Sequence, residues 1–345
     1  MAVIGGLPPV WSFWCDRYTG PGTFAPVGPV ECGSFTATST LSDFGSGSAG
    51  IRAATCSLTD TDLLNLWGWR LWAFRNGLPV WCGMPTGLSD SGDSIASVTL
   101  TELAGYLTKR AMDVRSLTFG QAEQTQIAAT LASTVDQVGM TIRTDPGPGF
   151  VRDRTYQFLE DTMGQLLINL SQVISGPQFR TELTTSPTEI SPGAVLHIGY
   201  PRVGTDTGLG IVVPGSTVSY SATWDADMLR TRTIALGDVP DGAPDGTPRP
   251  YQVENRPQAT RPWLDVVDQW SGTILTSTLA ERADTNATLY AEPVLALTAT
   301  ADGGDPPLGT YNVGDTVTVT ITSPLLSGGL DVTGQLTALN IDASA

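Results

Sequence analysis

One stretch constrains this chain more than any other: Trp69-Arg70-Leu71-Trp72-Ala73-Phe74, then Arg75-Asn76-Gly77, then Leu78-Pro79-Val80-Trp81-Cys82. Asn-Gly between two aromatic-rich runs is the strongest short-range hairpin signal, because both residues accept positive φ at low cost. Pro79 cannot donate to a ladder, so it belongs at an edge or beside the turn. Ser94–Thr101 alternates as a further strand, and Leu103, Tyr106, Leu107 and Ala111 then form one short helical face. Composition agrees with a β-rich start. The chain has 38 Gly and 24 Pro but only 15% charged residues, against roughly 25% in ordinary soluble domains. That mixture favours turns and β-branched strands over long surface helices.

Six of the nine tryptophans, Trp11, Trp14, Trp67, Trp69, Trp72 and Trp81, lie in this region. Period 2 puts Trp67, Trp69 and Leu71 on one face of the hairpin and Trp72 on the other. Such aromatics fill a β core or a subunit interface, or stack on carbohydrate. The spacing leaves all three uses open.

The period changes after residue 118. Ile127, Leu131, Val135 and Val138 recur every three or four residues, with Gly139 placed as a C-terminal cap. A second helix is predicted from about Tyr156 to Ile174, through Leu159, Met163, Leu166, Leu167 and Leu170, and Ser175-Gly176-Pro177 stops it. Strands over Met140–Arg143, Phe179–Leu183 and Ala194–Tyr200 would cover these helices. Strand-like runs resume at Ile211–Val213, Thr217–Thr223 and Thr231–Leu236, and Gly237–Pro250 reads as a loop or linker. Pro262 opens a third predicted helix with the face Trp263, Val267, Trp270 and Ile274. Val313-Gly314-Asp315 then reads as a turn, and Thr316–Ile321 alternates strictly. The expected fold is α+β and mainly β, with two barrel-like antiparallel β domains and an α/β insertion between them. Its segments are a first barrel-like domain over 1–118, the α/β module over 119–200, a β segment and linker loop over 201–260, and a helix plus second barrel-like domain over 261–345.

Charge narrows the function. Asp and Glu number 34 against 18 Lys and Arg, a formal charge of −16, and the one lysine is Lys109. Nucleic-acid affinity needs clustered cations, so binding of that kind is disfavoured. No run approaches about 20 consecutive apolar residues, so membrane insertion is not expected. The start, MAVIGGLPPVW, lacks the basic region of a signal peptide, which points to assembly in a reducing cytoplasm. Cys15, Cys32, Cys56 and Cys82 contain no CxxC pair, which argues against zinc. Two disulfides are possible in three connectivities, but buried free thiols are expected there.

Catalytic options are few. A nucleophilic triad needs an imidazole, and His197 is the only histidine. Alternation puts Leu196, Ile198 and Tyr200 on one strand face and His197 on the other, solvent-side face. No G-x-S-x-G elbow is present, and Gly45-Ser46-Gly47-Ser48-Ala49-Gly50 is a flexible run without the lysine of a phosphate loop. Asp60 with Asp62, or Asp225 with Asp227, would share one side of a strand and are candidate glycosidase carboxylates, yet their turn positions read as solvated acids. Asp238, Asp241 and Asp245 could border a calcium loop but lack EF-hand spacing. No catalytic, cofactor-binding or metal-ligating residue is expected, and no enzyme activity.

Four segments carry a family resemblance: Leu71–Gly83 (LWAFRNGLPVWCG), the strand and helix Val98–Arg110, Leu196–Gly204 (LHIGYPRVG), and Pro262–Val332 with Gly309–Val317 (GTYNVGDTV) inside it. Their order along the chain resembles the hub, or minor tail, proteins at the tail tip of long-tailed bacteriophages, particularly those of actinobacteria, which are similar to contractile-tail baseplate hubs. The 17:1 ratio of Arg to Lys fits a GC-rich genome. The resemblance implies a structural virion protein: a homotrimeric ring closing the tail tube, contacting the distal tail protein, the tape measure protein and the tip or fibre proteins, with DNA only in transit. It implies that lytic or receptor-binding parts lie on other proteins, since little follows the last strand. Seven carboxylates and no Lys or Arg follow Arg282, which would make the C-terminal β block an acidic lumen lining that repels passing DNA. Competing readings are a carbohydrate-binding adhesin module, a distal tail protein ring, and a cell-wall or polysaccharide hydrolase.

Overall fold

The Asn-Gly hairpin forms near the centre of an antiparallel sheet whose two faces are both buried. A computed structural model describes residues 10–52, 56–92, 95–112, 116–145, 151–157, 161–173, 175–185, 192–213, 217–240, 242–244, 246–258, 261–273, 275–301, 306–323 and 328–343. The first strands are β1 (Trp11–Gly20), β2 (Thr23–Val30), β3 (Cys32–Thr40) and β4 (Ser46–Arg52); after helix α1 (Asp60–Leu64) come β5 (Trp69–Arg75), β6 (Leu78–Asp90) and β7 (Ile95–Glu102). Asn76 and Gly77 take φ of +51° and +81°, as the hairpin turn requires. Pro79 sits beside that turn, at a register shift opposite Phe74, where no ladder bond is lost.

The strand order is β2-β1-β5-β6-β7-β4-β3, continued by the last strand of the chain. Strands far apart in this order nevertheless meet. The ring of Phe13 on β1 lies 5.1 Å from that of Phe35 on β3, and Trp81 Nε1 on β6 donates to Thr38 O on β3 at 3.1 Å. The sheet therefore curls around a core containing Ile51, Trp69, Leu71, Val98 and Leu100. Gly45–Gly50, expected to be a flexible run, belongs instead to this sheet through β4. Its glycines leave space for neighbours: a Cβ on Gly47 would lie 3.2 Å from the Trp81 ring, and one on Gly83 only 2.2 Å. Trp67 departs from its expected place too. It takes φ of +65° ahead of β5 and packs near Tyr106, against the core that holds Trp72 rather than Trp69.

The Trp72 face is covered by a 3₁₀ helix over Leu103–Lys109 and by the helical middle of the chain. Here follow β8 (Ser116–Glu123), α2 (Gln124–Leu131), a 3₁₀ turn over Ser133–Val138, β9 (Met140–Thr144), β10 (Val151–Gln157), α3 (Met163–Ser171), β11 (Gln178–Thr184) and β12 (Gly193–Gly199). Gly139 takes φ of +72° and ends the first helical stretch, as its position predicts. The helix expected from Tyr156 to Ile174 is shorter at its start. Tyr156 lies in β10, which pairs with β8, and the helix begins after Thr162, whose Oγ1 accepts from Gln165 N at 3.2 Å. Leu159 and Ile174 lie outside the described residues. Strands β11 and β12 run antiparallel, and β9 joins β12 in parallel.

The remaining elements are β13 (Asp206–Val213), β14 (Thr217–Asp225), β15 (Arg232–Leu236), β16 (Tyr251–Asn255), β17 (Asp265–Gln269), α4 (Thr276–Leu289), β18 (Val294–Ala301), β19 (Thr316–Ile321), β20 (Leu330–Gln335) and β21 (Ala338–Asp342). They divide between two units: 1–216 with 301–345, and 217–300. In the second unit β15 lies between β16 and β17, and Leu279 and Ala283 of α4 pack on Ala235. The third helix is therefore not at Pro262–Ile274. Trp263 and Val267 do have helical spacing, but the β-branched pair Val266-Val267 forms a parallel ladder with β15 instead. The helix comes later, carried by Leu279, Ala283 and Ala287, an apolar stripe too thin to stand out from the polar sequence around it. Ile274 lies outside the described residues.

In the first unit β19 pairs in parallel with β13 and antiparallel with β20. Val317, Val319 and Ile321 are buried, as strict alternation predicts. Strand β21 then crosses back and pairs with β3, completing the eight-stranded sheet. The fold is mainly β, as expected. Among the described residues no sheet closes into a barrel, because β2 and β21 remain the two ends of the eight-strand order. No described helix is long and apolar enough to cross a membrane.

Candidate functional site

Strand β11 reads Phe179-Arg180-Thr181-Glu182-Leu183, with charges at alternate positions. In register, Arg180 lies opposite His197 on β12, and His197 opposite Arg143 on β9. Adjacent cations in one row are unfavourable unless anions separate them. Three carboxylates do so. Glu182 Oε1 lies 2.9 Å from His197 Nδ1 and accepts from Arg180 Nε at 2.7 Å, while its Oε2 is 2.7 Å from Arg143 Nη2. Asp145 Oδ1 lies 2.7 Å from His197 Nε2. Asp315, in the turn before β19, accepts from Arg180 Nη1 at 2.7 Å and from the amides of Thr205 and Asn312. Val313 O accepts from the same Arg180 nitrogen at 2.8 Å.

The cluster joins β9, β11 and β12 to the turns that open β13 and β19. The side chains of Arg180, Asp315 and His197 are each 5% exposed. His197 is thus not on a solvent side of its strand. Asp145 and the paired arginines cover the face that alternation leaves opposite Leu196 and Ile198. Burial works against the charge on Glu182, but the hydrogen bond from His197 and the charge of Arg180 outweigh it and hold the carboxyl down at about 2. Both ring nitrogens face carboxylate oxygens, so His197 presents no free nitrogen to a substrate in this arrangement.

A second buried pair lies under the hairpin. Asp16 on β1 is opposite Arg70 on β5, and its Oδ2 accepts from Arg70 Nε at 2.9 Å and from Trp72 Nε1 at 2.8 Å. Arg70 also lies over the Phe24 ring, 4.0 Å from its centroid. This group ties β1 to β5.

The other residues singled out from the sequence are dispersed. Asp60 and Asp62 begin α1 and do not share a strand face; Asp62 forms a capping box with Thr59. Asp225 ends β14, and its Oδ1 accepts from the Asp227 amide at 2.8 Å. Asp238 accepts from Gly272 N and Arg249 Nη2, which fixes the base of the Gly237–Pro250 loop; Asp241 and Asp245 lie outside the described residues. All four cysteines are free thiols, and burial pushes Cys32 up to about 12 and Cys15 and Cys82 well above the ordinary thiol range. Trp69, Trp72 and Trp81 are fully buried, which makes them core residues. The charge cluster itself was missed. Its signal was present in the sequence as Arg180 and Glu182 at alternate positions of β11 and His197 between Leu196 and Ile198 in β12.

No protein-family model matches the sequence, and no curated protein matches it. Solved structures do. The 43 kDa tail protein of prophage MuSo2 from Shewanella oneidensis superimposes with a TM-score of 0.60 over 97% of this chain and 95% of that one, at 12% identity. The tail protein from Neisseria meningitidis MC58 gives 0.58 over 97% and 92%, at 16% identity. The fold is that of phage tail proteins. The Escherichia coli protein c3393, a component of the type VI secretion system with structural similarity to the T4 tail proteins gp27 and gp5, gives 0.50 over 91% and 70%, at 11% identity.

Proposed function

We propose that this chain is a non-enzymatic structural component of a phage tail, assembled in the host cytoplasm and placed at the tail tip as a homotrimeric hub ring. The observation that carries the reading is the nearly end-to-end match to tail proteins on both sides of the superposition. The hub position rests on the order of the four sequence segments, with the gp27-like similarity of c3393 in support. In that place the ring joins the tube and distal tail protein to the tape measure and tip or fibre proteins, and DNA passes without specific binding.

The acidic lumen of this proposal has a narrower set of candidates than the C-terminal charge implies. Asp315 is buried against Arg180, and Asp284 and Glu292 are paired with Arg256 and Arg261. Asp302 and Asp305 lie outside the described residues. Asp331 and Asp342 are exposed and are C-terminal candidates to line such a channel. Of the competing readings, the adhesin module loses its main support, because Trp69, Trp72 and Trp81 offer no stacking surface. A reconstruction of the particle tests the proposal. Three copies at the distal end of the tube are expected; six copies one ring higher would favour the distal tail protein reading, and absence from the particle would end both.

A further inference from the structure

Glu102, the last residue of β7, is a buried carboxyl in a place where no cation pairs with it among the described residues. It accepts from Ser39 Oγ and from Gly45 N, each at 3.1 Å, and is 4% exposed. Beside it is a small cavity of about 30 Å³, large enough for a water molecule or two. The walls come from distant parts of the chain: Ser39 on β3, Trp81 on β6, Thr181 on β11, Leu339 on β21, and the strap Leu308–Val313. The strap is the return connection that leads from β18 into β19. Its far end is held by the charge cluster, through Val313 O on Arg180 and the Asn312 amide on Asp315. Its near end, Leu308–Tyr311, packs over the cavity and against Leu78 and Val80.

We propose that Glu102 is a proton-operated latch on this strap: protonated, it is accommodated under Leu308–Tyr311, and ionised, it draws water through the cavity and loosens them. The physical reason is the uneven cost of burial. A neutral carboxyl hydrogen-bonded to a hydroxyl and an amide is tolerated in an apolar wall, whereas a carboxylate there needs solvation or a counter-ion. The groups around it supply hydrogen bonds but, among the described residues, no counter-ion. They are Ser39 from β3, Asp43 and the Gly45 amide from the following loop, the Cys82 thiol from β6, the Thr181 hydroxyl from β11 and the Tyr311 phenol from the strap. Asp43 is the charged one, and its like sign disfavours ionisation further. The Arg75 charge acts on the Tyr311 phenol. The strap is one wall of the cavity beside the carboxyl, so water drawn in by the ionised group acts on it.

Burial pushes the Glu102 carboxyl up from 4.5 to about 7, which places the change near neutrality. The sign follows. The folded value is raised, so the closed strap has its full stability below pH 4.5 and loses it as pH rises through about 7. If the opened strap returns Glu102 to its ordinary value, opening becomes roughly thirtyfold more frequent between pH 5.5 and 8.5.

Hydrogen exchange of the full chain, corrected for the intrinsic pH dependence of amide exchange, tests this. Peptides covering 306–313 should lose protection by about that factor, beyond any change in α2, and Glu102→Gln should abolish the difference. An identical response of the strap in wild type and Glu102→Gln overturns the proposal, as does a wild-type strap whose protection does not fall. Ser39→Ala gives a second reading that does not depend on the first variant folding. It removes a donor that favours the carboxylate, so the midpoint must move to higher pH; an unmoved midpoint also overturns the latch. The tail-tip reading has no bearing on any of these outcomes.

Discussion

Replacing Asp16 by Asn removes a charge from the middle of the fold while changing its shape very little. Asp16 is fully buried, and Arg70 is nearly so, with 8% of its side chain exposed. Asparagine keeps an oxygen for Trp72 Nε1, so that hydrogen bond survives as a neutral one. What is lost is the counter-charge of the Arg70 guanidinium. Removing one partner of a buried ion pair costs about 3–5 kcal/mol, because the other charge remains without compensation. Arg70 keeps its stacking on Phe24, which retains about 1 kcal/mol, so a loss of about 3 kcal/mol is expected. Urea unfolding followed by tryptophan fluorescence reads it directly, since Trp72 is at the site. The double variant Asp16→Asn with Arg70→Met removes the stranded charge and should recover a large part of the loss. A single variant within about 1 kcal/mol of wild type, or a double variant no better than the single one, would refute the reasoning.

Glu182 titrates in the opposite sense to Glu102. Its folded value is lowered from 4.5 to about 2, so its contribution is present above pH 4.5 and is lost as pH falls through 2. Acid unfolding of wild type should therefore show a loss in that window that Glu182→Gln lacks, measured by thermal midpoints from pH 5 downward. Gly83→Ala should cost about 3 kcal/mol, since the new Cβ meets both the Trp81 ring and the backbone oxygen of Thr101. Gly77→Ala should cost only about 1 kcal/mol, from its positive φ, because no atom lies within 4 Å; equal urea midpoints would contradict both. In the native protein Cys15 and Cys82 should resist alkylation near neutral pH, and all four thiols should react once the chain is unfolded.

Local signals in the sequence determined the parts of this protein whose partners are close along the chain. Asn76-Gly77 placed the hairpin, because few residues take positive φ cheaply. Gly139 ended a helical stretch for the same reason, and the alternation of Thr316–Ile321 identified the buried face of β19. The mainly β character followed from such elements. The cations missing from the composition were equally legible, as were the four motif segments that resemble phage tail proteins.

Only the tertiary structure decided which faces are covered. Period 2 separates His197 from Leu196 and Ile198 but cannot say that Asp145 and Glu182 wait on the other side. Arg180 finds Asp315 across 135 residues, and no local pattern reports a partner at that distance. The same limit explains Val267, whose helical spacing yields to a ladder with β15, and β21, which joins a sheet begun at the other end of the chain. It explains Glu102 as well. A glutamate after an alternating strand reads as a solvated end until three distant segments close over it, and burial by those segments gives its proton a structural consequence.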